Sequence, residues 1–264
     1  MDQSDTFLVP DRQIIELQGP DAKKFLQGLV TNDIGDGERS LRYAAMLNPQ
    51  GKYLFDFFII SVSPSRFLID ISSSISDAFI RKLKIYKLRS DLTINLLCSD
   101  VLVGFCGTPS KALRDPRSPE MGWRRYLLEG EKSSQYDLLN QNFYDDLRVN
   151  LMIPETGIEL IQEKTYILEA GFERLNGVSF SKGCYVGQEV TARMKHKADL
   201  QKGLAKVRIL GELVTSDLSI IAGQKAVGHL LTRSNDLAIA YLRFKFCGQI
   251  LFCGNTKIEI LERF

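Results

Sequence analysis

One apolar stretch, Lys52–Ile60, constrains the fold more than any other part of the chain. Its sequence, KYLFDFFII, is rich in aromatic and β-branched residues, which favour a β-strand. Successive side chains of a strand point to opposite faces of a sheet, and here both faces are apolar. Strands with this pattern lie in sheets that are covered on each side. The stretch therefore predicts a central strand within a layered fold.

Strands and helices are predicted on either side of this stretch. Arg12–Gln18, Leu41–Leu47 and Arg66–Ile71 have strand-like patterns, and a helix with an apolar stripe is expected after Ser74. Several strands follow one another directly instead of alternating singly with helices. This order fits an α+β layer better than a doubly wound parallel sheet.

The pattern changes after Leu200. Short strand-like runs follow, separated by Gly, Ser and Asn, as is typical of a small all-β unit. Further upstream, the segment Thr108–Gly122 contains three prolines and is predicted to be a loop or linker. We therefore predict an N-terminal region over residues 1–200, divided around residues 90–120, and a separate β unit over residues 201–264.

Composition narrows the class of protein. The net charge is +2, which provides no general field to attract nucleic acid. No apolar run approaches the ~20 residues that span a bilayer. Met1–Val9 contains two aspartates and no arginine, so neither a signal peptide nor a transit peptide is expected. A cytoplasmic monomer without nucleic-acid or membrane partners is the default expectation.

Cysteine and histidine counts limit the metal sites that the chain can form alone. The five cysteines include no C-x-x-C pair, and their odd number argues against a disulfide framework. With only two histidines, multi-His sites are excluded by counting. A metal bound by this chain would need ligands from another source.

A lone thiol, Cys184, lies in the segment Ser181–Val190, with the sequence SKGCYVGQEV. Glycines flank the thiol, and cationic residues such as Lys182 and Arg193 favour the thiolate, which is the form that attacks electrophiles or binds metal. A helix that opens at Val186 or Gly187 would lower the thiol pKa further. The alternative is a buried cysteine that packs as a small apolar residue beside a glycine-rich turn.

Asp56 is the exception within the apolar strand. It shares a face with Leu54, Phe58 and Ile60, and an unpaired buried carboxylate is costly. A functional role is one explanation. A structural salt bridge, or a strand end that reaches water, is the other.

Several segments together resemble a known family. The segment Gly177–Glu189, GVSFSKGCYVGQE, is followed by Thr191–Arg193, and the chain opens with related motifs in Leu17–Asp33. Gly51-Lys52 and Gly228–Arg233 fit the same pattern. The chain resembles the YgfZ family of folate-binding proteins, closest to its branch of iron–sulfur cluster assembly factors. That family is related to the glycine-cleavage T-protein, a tetrahydrofolate-dependent aminomethyltransferase.

The resemblance implies a fold and a ligand. It implies a T-protein-like three-part ring around a central channel, with two α+β N-terminal domains and a small C-terminal β-barrel. It also implies binding of tetrahydrofolate or a derivative. Glu169 matches the position of the pterin-binding glutamate in the T-protein family, and a carboxylate can accept two parallel hydrogen bonds from the pterin edge. The alternative for Glu169 is a glutamate on the surface of a helix. Asp56 matches the second of two acids in the T-protein segment, whereas the first position is Phe55.

Other positions receive weaker expectations from the same resemblance. Asp70 is expected to line the channel, and Tyr53 to stack on an aromatic ring, with core packing as its alternative. Arg193, Lys195 and Lys197 are expected either to meet the carboxylates of a folate tail or to form a solvated helix end.

The predicted function is that of a folate-binding accessory protein for the maturation or repair of iron–sulfur clusters. Cys184 serves as the reactive thiol or as a ligand to a transient cluster shared with a carrier protein, and Asp56 is the second candidate catalytic residue. The alternatives are an aminomethyltransferase and a non-catalytic scaffold. The predicted motif residues are Lys182, Gly183, Cys184, Tyr185, Gly187, Gln188 and Glu189.

Overall fold

The computed structural model describes residues 6–35, 40–127, 131, 133–134, 136–196 and 199–264. The chain divides into two compact units. The first consists of Met1–Gln50, Leu54–Leu139 and Leu175–Gln188, and the second of Gly51–Tyr53, Asn140–Arg174 and Glu189–Phe264. Each unit therefore combines segments that are distant in sequence.

In its described residues, the first unit contains two five-stranded sheets and two α-helices. Its strands are β1 (Thr6–Val9), β2 (Arg12–Gln18), β3 (Leu41–Leu47), β4 (Tyr53–Ser63, whose first residue belongs to the second unit), β5 (Arg66–Ser72), β6 (Thr93–Leu97), β7 (Val101–Gly104), β8 (Leu113–Arg114), β9 (Trp123–Tyr126) and β10 (Asp137–Leu138). Its helices are α1 (Ala22–Gln27) and α2 (Ser73–Lys87). One sheet has the order β10-β1-β7-β9-β8, and the other has the order β3-β4-β5-β2-β6.

The long apolar strand is an inner strand, as predicted. In β4 all residues from Tyr53 to Ser61 are buried except Asp56. Phe55 and Phe57 pack against Phe79 of α2, with ring centroids 5.3 and 4.9 Å apart. The helix therefore covers one face of the sheet. On the opposite face, the guanidinium carbon of Arg124 in β9 lies 4.4 Å from the centroid of the Phe58 ring, so apolar residues at consecutive positions of β4 are covered on both faces.

The second unit is built on a closed barrel. Its strands are β11 (Lys202–Leu210), β12 (Ser219–Ala222), β13 (Lys225–Ser234), β14 (Leu237–Arg243), β15 (Leu251–Cys253) and β16 (Thr256–Arg263), in the order β11-β14-β13-β12-β15-β16. Apolar residues of all six strands form one buried cluster. Closure leaves no strand edge unpaired. The helices α3 (Gln141–Asn150) and α4 (Gln188–His196) precede the barrel.

The α+β class with a small C-terminal barrel is confirmed, whereas one helix prediction is wrong in its start. The apolar spacing of Leu139, Phe143 and Leu147 predicts one helix over Ser134–Asn150. The helix α3 begins only at Gln141, because the Asn140 side chain accepts a hydrogen bond from Phe143 N and caps it there. The predicted loop at Thr108–Gly122 contains the short strand β8 and a turn of 3₁₀ helix. The domain limits at 90–120 and 200/201 stay predictions.

Candidate functional site

The segment with the lone thiol forms a loop of the first unit whose tip is exposed. Gly183 and Cys184 are exposed, whereas the residues on either side, Lys182 and Tyr185, are each only 7% exposed. The alternative of a buried cysteine is therefore excluded for Cys184. The thiol lies between two buried side chains on a two-residue tip.

Lys182 anchors this loop through its side-chain amine. Its Nζ donates hydrogen bonds to the backbone oxygens of Gln27 at 2.8 Å, Val30 at 2.6 Å and Asn32 at 3.0 Å. Burial lowers the pKa of Lys182 to about 8, and the Asp33 carboxylate opposes that shift. The sequence suggested that Lys182 keeps the sulfur anionic. The structure instead engages the amine with three backbone carbonyls.

A second set of contacts joins the same two segments. Thr31 Oγ1 donates to Gly177 O at 2.7 Å, Ser179 N donates to Thr31 O at 3.0 Å, and Asn32 Nδ2 donates to Asn176 O at 2.7 Å. The sequence predicts no functional role for Thr31 and Asn32, only the end of the preceding helix. Their presence in the family-like opening was the only signal that could have identified them.

The residues after the tip lead into α4. Gly187 has φ +83°, a conformation that favours glycine, and the helix begins at Gln188, slightly later than predicted. Glu189 and Arg193 form an exposed ion pair one turn apart. Gly183 differs from Gly187, because its φ is not positive and a Cβ placed there would meet nothing within 4 Å. The fold itself gives no reason for glycine at 183.

A pocket of about 470 Å³ in the second unit is lined in part by Glu169, the residue predicted to bind the pterin. Glu169 is 6% exposed, and its Oε2 accepts a hydrogen bond from Tyr241 of β14 at 2.6 Å. Lys202 Nζ lies 3.8 Å from Oε1. The walls are mainly apolar, with Ile158, Ile161, Leu204 and Leu231.

Two further side chains of this pocket, Tyr241 and His229, have shifted pKa values. Burial raises the pKa of Tyr241, and its hydrogen bond to Glu169 acts in the same direction. Burial also lowers the pKa of His229, whose ring centroid lies 5.8 Å from that of Tyr241. At neutral pH the pocket therefore offers a neutral phenol and a mostly neutral imidazole beside the carboxylate.

Asp56 has a polar partner within the first unit. Its Oδ2 accepts a hydrogen bond from Tyr43 Oη at 3.0 Å, and Asp56 is partly exposed while Tyr43 is fully buried. The guanidinium of Arg117 lies 5.5 Å from the Tyr43 ring centroid. The carboxylate is thus neither isolated nor wholly buried, and its catalytic role stays a prediction.

The surroundings of two other candidates do not fit a ligand contact. Asp70 has no exposed surface, and its carboxylate accepts hydrogen bonds from Arg12, Arg124 and Tyr126. Tyr53 is also fully buried, and its hydroxyl lies 3.1 Å from Thr156 Oγ1. Asp70 was expected to line the channel but lies in the protein interior, because tertiary packing turns its side chain inward. For Tyr53 the structure agrees with the alternative of core packing.

The cationic candidates of α4 lie at the surface. Arg193 is 75% exposed in its pair with Glu189, and Lys195 forms an ion pair with Glu173. Lys197 lies outside the described residues. Contact of these side chains with a folate tail stays a prediction.

The described part of the chain contains neither a cluster of metal-ligating side chains nor a helix that could cross a membrane. No group of three or more His, Cys, Asp and Glu side chains among these residues could hold a metal ion. In the same residues, no helix is long and apolar enough to cross a membrane.

Two family models match parts of the chain. The GCVT N-terminal domain matches residues 11–102, and the CAF17 C-terminal beta-barrel domain matches residues 201–262. The crystal structure of the glycine cleavage system aminomethyltransferase T from Bartonella henselae superposes with a TM-score of 0.79. That similarity covers 98% of this chain and 85% of the other at 14% identity, and it shows a T-protein-like fold.

Several curated relatives of this chain carry the same name. The iron–sulfur cluster assembly factor IBA57, mitochondrial, of Mus musculus is 31% identical over 90% of this chain and 77% of its own length. The Homo sapiens protein of that name is 29% identical, with 89% and 76% covered. The mitochondrial IBA57 homolog of Pyricularia oryzae is 34% identical over 72% of this chain. This chain spans only 54% of the length of that homolog.

These names also correct one prediction. The relatives are named mitochondrial proteins, so the cytoplasmic location expected from the N-terminal residues is wrong. The predicted likeness to the branch of cluster assembly factors agrees with the relatives that were found. With 31% identity over most of both proteins, the chain belongs to the IBA57 family of iron–sulfur cluster assembly factors.

Proposed function

We propose that this protein assists the assembly or repair of iron–sulfur clusters in mitochondria, that Cys184 contacts the cluster, and that a reduced folate binds beside Glu169. The names of the relatives support the first part. The observation that carries the second is the exposed thiol on a loop whose neighbouring side chains are buried.

The proposed role of Cys184 requires a partner. A cluster is usually held by four protein ligands, and the described residues contain no metal-ligating group of three or more. The cluster is therefore cargo that Cys184 reaches while a carrier protein supplies the other thiolates. The open space at Gly183 supports close approach of that partner, since a Cβ there would meet no atom of the described residues within 4 Å.

The residues around Glu169 fit a pterin. A buried carboxylate within mainly apolar walls can accept two parallel hydrogen bonds from the N–H groups of the pterin edge. The volume of the pocket, about 470 Å³, lies in the usual range of ligand pockets. Glu169 would hold the ring, Tyr241 would orient the carboxylate, and Lys202 would balance its charge. A reduced folate, when bound, carries one-carbon groups on its ring nitrogens. The folate part of the proposal rests on the likeness to the YgfZ family.

Aminomethyl transfer has less support as an alternative. The fold resembles the aminomethyltransferase of Bartonella henselae, but similarity at 14% identity shows the fold alone. Phe55, where the T-protein segment has its first acid, is 5% exposed and packs against Phe79. A buried phenylalanine cannot replace a carboxylate in proton transfer.

Replacement of the thiol tests the proposal. Cells that lack their own family member would be given the wild type, Cys184→Ala or Cys98→Ala, and a 4Fe–4S enzyme would be assayed. Cys98 is a matched control because it is an exposed cysteine of the same unit. We expect Cys98→Ala to restore the enzyme and Cys184→Ala to fail. Full restoration by Cys184→Ala would exclude the proposed role of the thiol.

A further inference from the structure

We propose that Lys182 is a positioning residue for Cys184. Its buried ammonium group ties the loop with the thiol to the backbone at residues 27–32, and this tie sets where the sulfur is presented. The biological meaning of this inference rests on the proposed function of Cys184. Its physical content rests only on contacts within the first unit.

The number of acceptors matches the number of donors. A lysine ammonium has three N–H donors and no acceptor, and Lys182 has three backbone oxygens within 3.0 Å, those of Gln27, Val30 and Asn32. Gln27 is the last residue of α1, so its carbonyl is one of those that a helix end leaves without a partner. The amine therefore supplies hydrogen bonds that the segment after α1 needs.

Tyr185 completes the anchor from the other side of the thiol. Lys182 Nζ lies 5.1 Å from the centroid of the Tyr185 ring, a distance at which the face of an aromatic ring attracts a cation. Both side chains are buried, and only Gly183 and Cys184 separate them. A two-residue tip between two fixed ends has little room to move, so the sulfur has a defined position.

The same geometry leaves Lys182 no N–H for the thiol of Cys184. A hydrogen bond from the ammonium to the thiolate would need an N–H directed toward the sulfur. Here three carbonyl oxygens account for the three donors. Burial lowers the pKa of Lys182 only to about 8, so most of the amine remains protonated at neutral pH, as three acceptors require. Loss of Lys182 is thus expected to change the order of the loop and not the acidity of the thiol.

Two measurements on the full chain separate these roles. The variant is Lys182→Met, and the matched control is Lys52→Met, which removes a lysine hydrogen bond of 2.8 Å to a backbone oxygen in the second unit. Hydrogen exchange is followed at the amides of Ser179 and Ala45, which donate to Thr31 O at 3.0 Å and to Thr31 Oγ1 at 2.8 Å. The pH profile of alkylation of Cys184 by iodoacetamide is measured in a background without the exposed Cys98 and Cys106.

We expect exchange at both amides to become at least roughly tenfold faster in Lys182→Met, which corresponds to about 1.4 kcal/mol, and to be unchanged in Lys52→Met. We also expect the midpoint of the alkylation profile to stay in place. A partner charge acting on the thiol would move that midpoint by about 1 unit or more. Such a shift, or unchanged exchange, would overturn the proposal.

A second variant covers the case in which Lys182→Met does not fold. Thr31→Val keeps the shape of a buried side chain but loses the hydrogen bonds to Gly177 O and from Ala45 N. Thr31→Val should speed hydrogen exchange at the Ser179 amide and leave the midpoint of the alkylation profile unchanged. Unchanged exchange together with a shifted midpoint would contradict the proposed attachment of the loop to residues 27–32. If Cys184→Ala supports the 4Fe–4S enzyme fully, the proposed function fails, whereas the exchange results still decide the role of Lys182.

Discussion

Replacement of Asp70 by asparagine tests whether this residue is part of the protein interior or of a ligand site. The Asp70 carboxylate has no exposed surface. It accepts hydrogen bonds from Arg12 Nε at 2.6 Å, from Arg124 Nε at 3.0 Å and from Tyr126 Oη at 3.0 Å. Asp70→Asn keeps the shape of the side chain but removes the charge and leaves Arg124, with 4% of its side chain exposed, without its carboxylate.

The expected loss of stability is large. Removal of one partner from a buried ion pair costs about 3–5 kcal/mol, because the remaining charge stays buried without compensation. At about 2–4 °C per kcal/mol for a chain of this size, the midpoint of thermal unfolding should fall by roughly 10 °C. The control is Asp56→Asn, because Asp56 is partly exposed and accepts a hydrogen bond from the hydroxyl of Tyr43. Its expected cost is about 1 kcal/mol.

The stabilisation by Asp70 should depend on pH in a defined direction. Burial alone would raise the pKa of Asp70, but the guanidinium groups of Arg12 and Arg124 outweigh it and hold this pKa below its usual value. A carboxyl group with a lowered pKa in the folded state stabilises the fold above its unfolded pKa of about 3.9, and the stabilisation is lost as the pH falls through the folded pKa. The wild type and Asp70→Asn should therefore differ fully at pH 7 and converge in acid.

Urea unfolding of the wild type and of Asp70→Asn between pH 2.5 and pH 7 measures this difference in stability. A loss below about 1 kcal/mol at pH 7 would contradict the assigned structural role. Weaker folate binding by Asp70→Asn with unchanged stability would instead favour the ligand contact that the sequence suggested.

Three further predictions concern the pocket, the tip of the loop and the second unit. Glu169→Gln should weaken tetrahydrofolate binding at least roughly tenfold, because a hydrogen bond to a charged group is worth about 1.5–3 kcal/mol, and Tyr241→Phe should weaken it less. Calorimetry that finds the same affinity for the wild type and Glu169→Gln would exclude this pocket. Gly183→Ala should change the unfolding free energy by less than about 0.5 kcal/mol, since the added Cβ would meet none of the described atoms within 4 Å. The same variant should impair the 4Fe–4S enzyme in cells, and full activity there would remove the argument for a close partner. Arg148→Met should destabilise the protein in urea by about 3 kcal/mol or more, because the carboxylate of Glu159, 3.1 Å from Arg148 Nη1 and with no exposed side-chain surface, loses its ion pair; a loss below about 1 kcal/mol would contradict that reasoning.

Local patterns were sufficient for much of the fold. The burial of β4 and the short strands after Leu200 follow from side-chain periodicity, which a sequence records directly. Helix ends were less secure, because α3 begins at a cap, Asn140, and not at the first residue of its apolar pattern. The exposure of Cys184 remained open in the sequence, since a lone cysteine between glycines fits a buried and an exposed position equally well.

The sequence by itself determined the class of fold, the barrel and the segment that holds Cys184, because periodicity and motif are properties of neighbouring residues. Tertiary structure alone decided what the charged groups do. Lys182 meets carbonyls that lie 150 to 155 positions away, and Asp70 meets Arg124 from 54 positions away. No local pattern specifies such pairings, because they form only when the packing of whole sheets and loops removes the groups from water and leaves them one another as partners.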